Sequence, residues 1–195
     1  DQLRRRRFVN RLPDRFLLMK VGNHAGEDWE QILARKRREF DDAGMVFWGY
    51  GGATCHPIRQ VQPFARLALQ EQGNVLLLME PVDSRADPDV VKAIEFSEDG
   101  VIWKPIPKGI TVTGSRYALV LDEIRPGELD VDLSEFEVGI GNSEGKNAAK
   151  YLRGRVDKGC FARSGGQAGQ PRFPSATRRV EYTASLKAPF AVLVR

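Results

Sequence analysis

The apolar residues of this chain come in runs of four or five, and that shortness decides most of what the chain can fold into. FLLM (16–19), MVFW (45–48), VLLLM (75–79), YALVL (117–121) and FAVLV (190–194) are each bounded by glycine, proline, asparagine or a charged residue. Runs of this length between turn signals read as buried strands, and none approaches the roughly 20 apolar residues that cross a bilayer as a helix. At 195 residues the chain can bury one sizeable core without help from disulfides or metals.

Helical periodicity is confined to a few stretches. Between Glu27 and Ala43, Trp29, Ile32, Leu33, the stem of Lys36 and Phe40 recur at helical spacing, with acidic residues in the first turn and Gly44 past the end. Arg35, Lys36, Arg37 and Arg38 then make its outer face basic. Pro63 opens a shorter helix that ends at Gly73, and a third, short helix ends near Gly154. Asp99-Gly100 turns a hairpin over residues 92–106. Residues 15–21, 115–124 and 136–141 read as further strands, and the C-terminal segment as two strands turned at Lys187-Ala188-Pro189.

Two helices in the first half, many strands and one late helix give an α+β class rather than βαβ alternation. The expected architecture is one mixed, mostly antiparallel curled sheet, or a small partly closed barrel. The small barrels of RNA- and modified-base-binding domains (the PUA-like group) have a comparable order of elements. That is an analogy of fold alone, and no residue motif supports it. Residues 1–14 form a basic arm around Arg4–Arg7. Residues 15–195 form a single domain, with a Gly/Pro/Ser/Gln loop over 164–176.

The net charge of +4 hides a segregation. Residues 1–70 carry 13 basic and 8 acidic groups, residues 71–137 carry 6 and 15, and residues 138–195 carry 11 and 3. Basic ends around an acidic middle allow a face that attracts a polyanion. Two cysteines, Cys55 and Cys160, are too few for a secreted disulfide scaffold, and no apolar signal segment lies near the start. The chain begins at Asp1 rather than Met, so a trimmed leader stays open. The expected location is the cytoplasm, with no membrane partner.

Two segments carry the candidate chemistry. In VFWGYGGATCHP (46–57), Trp48 and Tyr50 are two residues apart, which on a strand puts both on one face as a stacking surface for a planar group. Gly51 and Gly52 let the backbone approach a ligand, and buried core packing is the competing reading of the same pattern. Cys55 and His56 follow, a candidate nucleophile and acid/base. His24, Cys55, His56 and Cys160 lack zinc-ligand spacing, so no metal and no cofactor is expected. The second segment, Gly139–Arg155, runs from a strand through glycines to a helix start, a layout suited to anions, but it is not a Walker A loop. Lys146, Lys150 and Arg153 fall at i, i+4 and i+7, a basic row on one helical face, and Arg155 extends it.

These features point to a nucleic-acid- or nucleotide-binding domain, DNA- or RNA-directed, that uses the aromatic and glycine loop with the basic helix face. One alternative is an enzyme acting on a nucleotide or nucleic acid through His56 or Cys55. Another is a subunit that docks to protein partners.

Overall fold

The apolar runs become strands because both of their faces find partners. The computed structural model describes residues 12–51, 56–83, 90–154, 156–165 and 174–195. The first strand, β1 (Arg15–Val21), sends Phe16 and Leu18 into one apolar cluster and Leu17 and Val21 into another. Successive side chains on a strand point to opposite faces, so a run apolar at every position needs a packed layer on each side. Each such side chain taken fully out of water contributes about 1.5–3 kcal/mol.

The helix α1 (Trp29–Ala43) starts at a capping box in which Asp28 accepts from the Gln31 amide and the Gln31 side chain accepts from the Asp28 amide. It stops at Gly44, whose φ of 69° lets its N–H reach back to the Phe40 carbonyl. There follow β2 (Val46–Gly51), α2 (Ile58–Gln72) and β3 (Leu76–Pro81). A hairpin of β4 (Glu95–Ser97) and β5 (Lys104–Pro105) turns at Asp99-Gly100, as the sequence predicts. Then come β6 (Tyr117–Leu121), β7 (Arg125–Asp132), β8 (Phe136–Val138), the one-turn helix α3 (Ala148–Tyr151), β9 (Lys158–Arg163) and the long β10 (Thr177–Val194).

The described residues form an α+β fold, with three helices and one mixed, mostly antiparallel, curled sheet of ten strands. Its main path runs β2-β6-β10-β3-β1-β9-β8. Among the described strands only β1 and β3 run parallel, with Leu17 opposite Leu77 and Met19 opposite Met79. Strand β10 organises the rest, pairing with β3, β4, β6 and β7 along its length. Helices α1 and α2 cover one face through Ile32, Leu33, Val61, Phe64, Ala65 and Ala68. The other face packs under β7, β8 and α3, through Val131, Phe136, Val138 and Leu152. Among the described residues no helix is long and apolar enough to cross a membrane.

Several details differ from the sequence reading. Helix α2 begins at Ile58, so Pro63 lies inside it rather than opening it. Pro57, not Pro63, stands at the N-cap. The basic outer face of α1 is only partly outward: Arg37 and Arg38 are exposed, whereas Lys36 is buried and Arg35 turns to carboxylates. Strands β7 and β9 are absent from the sequence reading, although β7 alternates polar and apolar from Glu128 to Asp132 and β9 is charged only at its ends, Lys158 and Arg163. The two expected terminal strands are one strand, β10, with a register shift between Leu186 and Ala191 where the turn was expected.

The glycines of β2 serve close packing. A Cβ at Gly49 would run into the Ser115 hydroxyl, and one at Gly51 would enter the Tyr117 ring. Both neighbours belong to the segment that pairs with β2 through β6. Gly51→Ala is therefore expected to destabilise the fold by about 3 kcal/mol or more, since overpacking of a rigid core site costs this much at its upper end. Gly165→Ala, where a Cβ meets open space, should leave the urea midpoint nearly unchanged. Equal midpoints for the two variants would refute this packing account.

Candidate functional site

A cavity of about 670 Å³ opens where β1 and β3 end. Its apolar wall includes Met19, Val21, Ile32, Trp48, Val82 and Val112, and its polar groups include Asn23, His24, Thr113 and Ser115. Lys20, Arg35, Lys36, Lys158 and Arg178 also line it, against Asp83 and Asp157. The volume falls within the roughly 300–1,000 Å³ of small-ligand sites.

Its floor is an ion network on α1. Glu39, 1% exposed, accepts from Lys36 Nζ at 2.9 and 3.1 Å, from Arg35 Nη1 at 3.0 Å and from the Thr111 amide at 2.9 Å. Lys36 Nζ also donates to the carbonyls of Phe47 at 2.5 Å and Thr111 at 2.8 Å. Burial pulls the Lys36 pKa down to about 8, against the opposing charge of Glu39. Arg35 is held by Glu27 at 2.6 Å. Burial works against its charge, but the Glu27 hydrogen bonds and the charges of Glu27 and Glu39 outweigh it and raise its pKa. The bonds from Arg35 in turn hold the Glu27 carboxyl below its ordinary pKa. These four side chains tie α1 to β2 at Phe47 and to Thr111.

One wall is set by His24, whose Nε2 lies 3.1 Å from the Thr113 carbonyl and 3.3 Å from its hydroxyl. Gly114, with φ 65°, lies against the same ring, and a Cβ there would come within 3.1 Å of it. The opposite rim is set by Lys20, whose Nζ donates to the carbonyls of Leu152 at 2.5 Å and Val156 at 3.1 Å. Those bonds hold the exit turn of α3 against the end of β1, and Gly154 of that turn lines the cavity. Burial first, and then the neighbouring Arg178 charge, lower the Lys20 pKa.

The structure distributes the predicted residues unevenly. Trp48 lines the cavity, but it is 4% exposed, donates from Nε1 to Met19 Sδ at 3.1 Å and packs edge-on to Trp29. Tyr50 shares its face of β2, as the spacing requires, yet it is fully buried beneath Lys158, whose Nζ lies 5.9 Å from the ring centre. That face is the interior of the fold rather than an open platform, because α1 and α2 cover it. Gly51 lines the cavity while making room for Tyr117. Gly52, Cys55 and Arg155 lie outside the described residues.

His56 is buried and does not line the cavity. Its ring stacks on Tyr151 with centroids 5.9 Å apart, and its carbonyl accepts from the Tyr117 hydroxyl at 2.5 Å. Its Nε2 has no hydrogen-bond partner among the described residues, and burial lowers its pKa. Among the described residues no three His, Cys, Asp or Glu side chains gather as metal ligands. Cys160 is buried.

The basic row is rearranged as well. Helix α3 has only four residues, so Lys146 precedes it, Lys150 lies on it and Arg153 follows it, all three exposed. The expected anion-ready helix start is already occupied, since the Asn147 side chain accepts from the amides of Ala149 and Lys150. Of this segment only Gly154 lines the cavity, and Lys20 anchors the turn that carries it. Sequence reasoning missed Lys20, His24, Lys158 and Arg178 as neighbours. Only the pairing of β9 and β10 with the β1/β3 pair brings them to one place.

Compared with known protein families, curated proteins and solved structures, the chain matches none.

Two outcomes follow from this chemistry. Lys36→Met leaves Glu39 and two carbonyls without their shared cation, and should cost about 3–5 kcal/mol in urea unfolding. A loss under about 1 kcal/mol, the range of an exposed pair, would show that the network is dispensable. The His56 pKa is lower in the folded than in the unfolded chain, so its contribution is complete above the ordinary value near 6.5. Stability should fall as the pH drops below that value, because the unfolded chain binds the proton first. In His56→Phe this part of the pH dependence of the melting temperature should flatten, and an unchanged profile would remove His56 as its cause.

Proposed function

We propose that this chain is a nucleotide- or nucleic-acid-binding domain whose cavity takes one nucleotide unit. The base enters against Trp48, Ile32 and Val112, and the backbone lies at the rim beside Lys158 and the α3 exit turn. One observation carries this reading. A cavity of nucleotide-accepting size is lined by Trp48 of β2 and by Gly154 and Lys158 beside the basic turn, so it unites the two segments that carry the candidate chemistry. The exposed Lys146, Lys150 and Arg153, on and around α3 and outside the cavity lining, supply phosphate contacts to a longer strand, which position it without reading its sequence.

The alternative with His56 or Cys55 as the reacting group draws less support, since His56 is buried away from the cavity lining. Docking to a protein partner has one observation of its own. Val91, Ile94, Val101 and Ile102 are 63–83% exposed around the β4/β5 hairpin, and Asp99 holds the tip by accepting from the Val101 and Ile102 amides.

Fluorescence anisotropy with short single- and double-stranded RNA and DNA at several salt concentrations tests the proposal. Binding should weaken steeply with salt. The Lys146→Ala/Lys150→Ala/Arg153→Ala variant should lower the slope of log K against log salt by about 0.7 for each single-strand phosphate it no longer neutralises. Single strands should bind better than duplexes, whose bases are stacked away from a cavity. An absence of binding at low salt would overturn the reading.

A further inference from the structure

The apolar wall of the cavity, with Trp48, Ile32 and Val112, can pack against any planar group, so it does not choose among bases. Choice falls to the polar wall, which holds Asn23, His24, Thr113 and Ser115. Asn23 is exposed, and its amide offers both donors and an acceptor. The hydroxyls of Thr113 and Ser115 rotate, and each gives or takes a hydrogen bond as its partner requires. The imidazole of His24 differs from these in presenting one fixed polarity.

His24 is held at both ends. Its backbone exchanges two hydrogen bonds of 2.9 Å with that of Glu27 across Ala25-Gly26, whose φ values of 52° and 78° make a tight turn. Glu27, on the far side of that turn, is tied to Arg35 of α1. At the ring, Nε2 lies 3.1 Å from the Thr113 carbonyl oxygen and 3.3 Å from the Thr113 hydroxyl. A carbonyl oxygen has no proton to give, so Nε2 carries the proton and donates. In the neutral ring Nδ1 is then a bare lone pair, an acceptor only. Among the described residues Nδ1 has no hydrogen-bond partner, and it is not sealed from solvent. This wall adjoins Trp48: the next residue, Gly49, packs against Ser115, and a Cβ on it would lie 3.8 Å from the same Thr113 carbonyl that orients His24.

We infer that His24 Nδ1 is the acceptor that reads the edge of the bound base, and that it selects bases with an amino group there, adenine and cytosine, over their oxo counterparts, hypoxanthine and uracil. This rests on the nucleotide reading above and names the class of nucleotide the cavity takes. An amino group offers an N–H to Nδ1. A carbonyl oxygen in the same place sets two lone pairs against each other and leaves both without a donor, which is costly where water is largely excluded. The turn and the Thr113 bond hold the ring before the ligand arrives, so little ordering is left for binding to offset.

Isothermal titration calorimetry with the 5′-monophosphates of adenosine, inosine, cytidine and uridine tests the assignment. The wild type should bind the amino member of each pair about tenfold more tightly than the oxo member, as one hydrogen bond made or lost implies. His24→Phe, which keeps a flat ring without an acceptor, should weaken the amino members and bring each pair level. His24→Asn sets an amide oxygen near the place of Nδ1 and should restore part of the preference. Nitrogen-15 NMR of the unliganded wild type in alkaline buffer checks the tautomer without any ligand, and a His56→Phe variant assigns the signals of the two histidines. A proton on Nδ1 instead of Nε2 would overturn the inference. So would a wild-type preference that survives in His24→Phe. Equal affinities within each pair, or a preference for the oxo members, would overturn the selection while leaving the nucleotide reading intact. No binding of any of the four, alone or within a short single strand, overturns both.

Discussion

A carboxylate that is 1% exposed cannot stay ionised in a protein interior unless its surroundings answer it, and Glu39 is answered on every side. Lys36, Arg35 and the Thr111 amide all donate to it, and Lys36 goes on to the carbonyls of Phe47 and Thr111. One helix is thereby fixed to a strand and to a loop that neither its sequence position nor its hydrophobic stripe would hold. A buried ion pair adds little net stability when both partners are present, yet losing either partner leaves an uncompensated charge. The network therefore acts as a registry device: it sets where α1 sits, and so where the cavity floor lies.

The second constraint is the closeness of β2 to its neighbours. Gly49 and Gly51 have no room for a side chain, because Ser115 and Tyr117 fill the space. The loop at 111–115 can then lie along β2 and form a cavity wall with His24. On the far side, Lys20 grips the α3 exit turn by its carbonyls and completes the rim. The cavity is thus a consequence of tight packing on both flanks of the β1/β3 strand ends. The floor cations are neutralised by Glu27 and Glu39, and on the other flank Arg178 is met by Glu80 and Lys158 by Asp157.

A good part of this was legible in residue order. The strand at 15–21 and the hairpin at Asp99-Gly100 announced themselves, and so did the helix end at Gly44, because each depends on local signals: an apolar run, a turn dipeptide, a glycine that accepts positive φ. The glycine and aromatic run at 46–51 was legible as a special place. Its meaning was not, since the same Trp-Gly-Tyr-Gly pattern serves a stacking platform or a tightly packed interior strand. Arg35 and Lys36 misled for a related reason: a charge run on a helix is ordinarily solvated, and only a carboxylate three or four residues on, folded inward with it, reverses that rule.

What the sequence determined by itself is the class and the pieces: short buried strands, two sizeable helices, a basic start and end around an acidic middle, and two segments rich in chemistry. What only the tertiary structure decided is adjacency. Trp48 is far along the chain from Gly154 and Lys158, and they meet at one cavity because β9 pairs with β1, β10 with β3, and Lys20 holds the turn between α3 and β9. Strand pairing over such separations leaves no periodic trace in either partner, since each strand records which of its faces is buried and not which strand buries it.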